Sequence, residues 1–182
     1  MQSEKDTKAK LYSRYPLSSV LIYNGSTILH FLLGGIGIAL GYRSYTFGVL
    51  YLVLSLVEMY VVMPLTVCSN CVYYRAKDSL CVSGLNILSK KIAKEGNLKD
   101  FPGRAEGLFC ANNLYLASLS VPFLAMIPAL IVNFSVALLL IFLAVVGLLL
   151  FRFFIIFPMI ACLHCSAKYN CPQAEAMGVR NR

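Results

Sequence analysis

Six of the seven cysteines in this 182-residue chain fall into two sets of three, each opening on a C-x2-C pair, and they are the residues best suited to chemistry. Cys68 and Cys71 form one C-x2-C pair, Cys162 and Cys165 a second, with Cys81 following the first and Cys171 the second. Two intervening residues let a single turn aim both sulfurs at adjacent corners of a tetrahedron, as four-thiolate metal sites require. Cys68, Cys71, Cys162 and Cys165 thus suit one zinc ion, with Cys81 and Cys171 as neighbours. Two sites of three cysteines each are the second assignment, completed by His164, Cys110 or an outside ligand. An iron–sulfur cluster is the third, since thiolates are its usual ligands. A reversible dithiol is a further reading, and idle thiols are the bland one. Zinc is favoured among the metals because it needs no electron partner. Cys110 lies outside both sets and reads as packing.

A second group of chemically capable residues lies in apolar sequence: His30, Glu58 and Arg152. Ionisable groups in a bilayer cost about 2.5–3.5 kcal/mol each on insertion scales, so they face partners or cavities. Glu58 and Arg152 each stand ten residues before a C-x2-C pair. Matching depth and opposite charge predict an ion pair that holds helices in register. His30 is expected to hydrogen-bond to a neighbouring helix. A bis-histidine haem is disfavoured because His164, the other histidine, lies beyond the last apolar stretch.

The elements that carry these residues follow from hydropathy. The chain is 59% hydrophobic and only 13% charged, which excludes a disordered chain, a collagen-like repeat or an ordinary soluble domain. Four stretches, 20–40, 45–67, 114–132 and 135–161, are each long enough to cross about 30 Å of hydrocarbon as helices. Short connections make them two hairpins, so the fold expected is an all-α integral membrane protein. The parts are an N-terminal arm (1–19), a first hairpin (20–67), a cysteine-containing linker (68–113), a second hairpin (114–161) and a cysteine-containing tail (162–182). Of 16 basic residues, 14 fall in the arm, linker and tail, from Lys5, Lys8, Lys10 and Arg14 to Arg104, Lys168, Arg180 and Arg182. The positive-inside rule then places both termini and the cysteines in the cytoplasm of a multi-pass cell-membrane protein. The polar N-terminus does not read as a removable signal peptide.

A shift of 94 residues lays Pro64-Leu65-Thr66-Val67-Cys68-Ser69-Asn70-Cys71 on Pro158-Met159-Ile160-Ala161-Cys162-Leu163-His164-Cys165. The shared P-x3-C-x2-C predicts parallel repeats about an axis along the membrane normal, which brings the two thiol pairs together. Residues 85–94 show helical apolar spacing with a basic face, suited to the membrane surface or to packing on the ends of the spans. Cysteine pairs at the end of a four-helix bundle loosely resemble the quinone-coupled thiol oxidoreductases. Those cysteines work on the oxidising side, and the charge bias here is opposite, so that function is not carried over. No nucleophilic triad, phosphate loop or pair of catalytic carboxylates can be assembled. The expected partners are the lipid bilayer and a cytoplasmic protein or larger membrane complex, without nucleic acid. The expected function is a zinc site that staples the hairpins or docks a partner. The alternative is a redox component exchanging electrons with a quinone or soluble protein.

Overall fold

The computed structural model describes residues 9–105 and 110–181. Lys5, Lys8 and Arg182, counted above for orientation, lie outside them, as does the side chain of Arg104. Four helices are long and apolar enough to cross a membrane: α1 (Leu17–Gly41), α2 (Tyr45–Asn70), α4 (Ala111–Val132) and α5 (Val136–Cys162). A short helix, α3 (Leu85–Ile92), lies between the hairpins. The helices overrun the apolar stretches by up to a turn, because hydrogen-bond ladders continue into polar residues. α2 reaches Asn70 through a final tight turn at Cys68–Asn70, and α5 begins at a Ser135 cap whose Oγ accepts from Leu138 N at 3.1 Å.

α1 occupies the middle of the bundle, packing on α2, α4 and α5, while α4 packs on α2 and α5. Its buried face runs through Thr27, His30, Phe31, Gly34, Gly35, Gly37, Ile38 and Gly41, the three–four spacing of one helix stripe. The glycines serve close approach, as lipid offers little hydrophobic force between helices. A Cβ on Gly35 would stand 2.6 Å from Leu52 Cγ, and one on Gly41 2.6 Å from Ala129 Cβ. At the far end, Asn133 Nδ2 donates to Gly41 O at 3.0 Å and ties the two hairpin turns together.

Both second spans loosen as they approach the cysteines. Glu58–Val62 and Arg152–Cys162 are π-helical, and the segments start 94 residues apart (152 − 58). Met63 N–H reaches back to Glu58 O, five residues away. Pro64 and Pro158 lack an N–H, so their turns widen rather than complete a regular ladder. α3 packs on the end of α2, burying Leu85, Asn86 and Ser89 while Lys90 and Lys91 face outward. Ser89 Oγ donates to Pro64 O at 2.7 Å, pinning the loosened turn. Ser89→Ala strands that carbonyl and should cost about 1–3 kcal/mol, measured as a lower unfolding midpoint in detergent.

Candidate functional site

The two C-x2-C segments fold alike. Cys71 N–H donates to Cys68 O and Cys165 N–H to Cys162 O, both at 3.2 Å. Each second cysteine then accepts from the residue three positions on, Tyr74 at 2.9 Å and Lys168 at 3.1 Å. These paired turns lie at the same end of the bundle and open on one cavity of about 140 Å³, which Cys68, Cys71, Cys81, Cys162, Cys165 and Cys171 all line. The six cysteines singled out in the sequence therefore line one cavity. Cys81 is held by a buried polar knot in which Asn86 Oδ1 accepts from Cys81 N at 3.1 Å and Asn86 Nδ2 donates to Ser79 O at 2.9 Å. Cys171 begins a short helical turn, Pro172–Ala176.

The thiols share a cavity without forming a ready-made ligand group. Among the described residues, no group of three or more His, Cys, Asp or Glu side chains is gathered closely enough to hold an ion. His164 is not part of the cavity lining. Its Nδ1 sits 2.8 Å from Lys10 O, and its ring stacks on Tyr12 with centroids 4.7 Å apart. Cys110 also stands apart, its sulfur capping α4 by accepting from Asn113 N at 3.4 Å.

One element of the site was not legible in the sequence. Residues 10–15 run between the two thiol segments as extended chain, bridging Tyr12 to Cys165 and Arg14 to Leu80. Tyr12 N donates to His164 O at 2.9 Å and Tyr15 N to Leu80 O at 2.8 Å. Tyr73 OH donates to Tyr12 O and Tyr15 OH to Ala161 O, both at 2.5 Å. Tyr15 and Tyr73 line the cavity as well. Burial lifts the Tyr15 phenol far above its usual range, with the neighbouring Cys165 acting in the same direction. The same two causes push Tyr73 up to about 12. Burial, reinforced by the nearby Cys71, Cys171 and Cys162 thiols, pushes the Cys165 thiol up to about 12.

Lys168, counted among the positive charges that mark topology, is fully buried (0% exposed) and lines the cavity. Its Nζ donates to Leu163 O at 3.2 Å.

Glu58 and Arg152 do not pair. Ion pairs among the described residues join Arg75 to Glu95 and Arg180 to Glu175. Arg152 is 1% exposed and turns toward α1 and α4, donating to Thr27 Oγ1 at 2.6 Å and to Tyr115 OH. The rings of Tyr23, Tyr115 and Phe157 surround its guanidinium at 4.8–5.6 Å. Cation–π contacts of this kind are worth about 2 kcal/mol when desolvated. Equal depth on two helices does not fix which way each side chain points, and the ion-pair expectation failed on that angle. Glu58 is buried, and its Oε1 has no hydrogen-bond partner. A double-mutant cycle of Glu58→Gln and Arg152→Gln should therefore give additive stability changes, within about 0.5 kcal/mol. A larger coupling would restore the pair. His30 behaves as expected, with Nε2 bonded to Leu119 O at 2.9 Å.

Compared with family models, curated proteins and solved structures, the chain matches none.

Proposed function

We propose that this multi-pass membrane protein is a redox component whose six-thiol cavity holds an iron–sulfur cluster. The observation that carries the reading is that six cysteines, drawn from both halves of the chain, line one cavity of about 140 Å³. A tetrathiolate zinc ion draws its sulfurs to about 2.3 Å from one centre. A cluster keeps its thiolates farther apart, because iron and sulfide fill the space between them. This preference for iron over zinc reverses the one that spacing alone suggested.

Charge supports the same occupant. A thiolate-bound cluster is anionic, and buried charge must be compensated. Lys168, buried on the wall of the cavity, places a basic side chain beside the thiols. Iron binds thiolates, so its binding would release the thiol protons.

The two hairpins are read as parallel repeats. In support, α1 and α4 meet at the centre, the π-helical segments start in register, and the two C-x2-C turns share their hydrogen bonds. With the basic arm, linker and tail on the cytoplasmic side, the cluster faces the cytoplasm at the membrane boundary.

The test is anaerobic purification with an optical spectrum and analysis of iron, acid-labile sulfide and zinc. A brown protein with sulfur-to-iron charge-transfer bands and matching iron and sulfide is expected. A colourless protein with stoichiometric zinc, or one with no metal, overturns the proposal.

A further inference from the structure

The cavity has a second half. Beyond the thiols it enters the bundle, where Tyr23 of α1, Met59 and Met63 of α2, Tyr115 of α4 and Phe157 of α5 line it. This half is apolar except for two phenol hydroxyls.

Those hydroxyls have one hydrogen too many for the acceptors present. Tyr23 OH and Tyr115 OH lie 3.3 Å apart and share one bond, in which either can donate. Arg152 Nη2 also donates to the Tyr115 oxygen, and a guanidinium offers no acceptor in return. If Tyr115 donates to Tyr23, the Tyr23 hydrogen has no acceptor among the described residues; if Tyr23 donates, the Tyr115 hydrogen has none. Either way one O–H hydrogen is left over on a wall of the cavity. The Arg152 charge polarises the pair and strengthens that donor.

A lone, strengthened O–H donor in an apolar, ring-lined pocket inside the membrane span matches a carbonyl oxygen on a flat apolar ring. We propose that the membrane half of the cavity binds the head ring of a lipid-soluble quinone, with the Tyr23–Tyr115 pair donating to one carbonyl. This rests on the redox reading above and names the partner that shares the cavity. Arg152 acts as a positioning residue through Tyr115. Phe157 and Met59 supply the apolar walls.

The experiment measures equilibrium binding of a short-tailed benzoquinone to the full chain in lipid nanodiscs. Because either hydroxyl serves as the donor, Tyr23→Phe and Tyr115→Phe singly should each weaken binding less than the double variant does. The double variant should lose about tenfold or more, the equivalent of one hydrogen bond at about 1.4 kcal/mol. Unchanged binding in the double variant, or no binding to the wild type, overturns the inference. A second measurement on unaltered protein guards against misfolding of the variants. The infrared carbonyl stretch of bound quinone should fall on hydrogen bonding, and an unshifted band overturns the inference. A Cys71→Ser/Cys165→Ser protein separates the two proposals. It should lack the cluster and still bind the quinone, whereas a brown wild type that binds none refutes the quinone site alone.

Discussion

Serine at Cys165 should strip the iron from the whole protein, not from half of it. Cys165 has Cys71, Cys162 and Cys171 as electrostatic neighbours, so its thiol stands among sulfurs contributed by both hairpins. Its backbone bond to Cys162 O is independent of the side chain and survives the change. Losing even an outer-shell partner of a metal ligand costs about 10–100-fold in affinity, so loss of a ligand should cost more. Cys71→Ser, in the other half, should have the same effect, while Cys110→Ser should leave iron content unchanged. Iron per chain and the visible spectrum read all three. Half-occupancy in either variant would mean two separate sites.

Gly48→Leu should be the most damaging single change outside the thiols. A Cβ there would stand 2.5 Å from Gly35 O and 2.9 Å from Ala39 Cβ, and the first of these is backbone that cannot turn aside. α1 and α2 must separate to admit it, which breaks the central packing on which the first hairpin rests. Overpacking of this kind costs about 1–3 kcal/mol, and a branched side chain at the contact goes to the upper end or beyond. Gly147 makes the control, because a Cβ placed there meets nothing within 4 Å. Gly147→Ala should be neutral or slightly stabilising by its helix propensity. Thermal unfolding of both in the same detergent gives the comparison.

How much of this the sequence could disclose depended on the kind of signal. Hydropathy located four spans to within a turn, because lipid tolerates only long apolar helices. The repeated P-x3-C-x2-C identified four of the six cysteines that line the cavity, and Cys81 and Cys171 follow its two copies. The failures were directional. Nothing in the sequence tells which way Arg152 points, and a ring cage on α1, α4 and α5 serves it where Glu58 was expected. Lys168 looked like any other basic residue beyond a span until its burial appeared. His164 was a fair ligand candidate by spacing, yet the chain that claims it, at Lys10 and Tyr12, is remote in sequence. The contribution of Tyr12, Tyr15 and Tyr73 depends on an irregular segment, which carries no periodicity to read.

That extended arm also sets a schedule for the protein's manufacture. Ser166 Oγ donates to Tyr12 O across 154 residues of chain. At about 5–20 residues per second, synthesis runs on for roughly 8–30 s after Tyr12 is made before its partner exists. For much of that interval the first thiol pair has been made while the second has not yet been translated. The arm can therefore close over the cavity only after nearly the whole chain has been made.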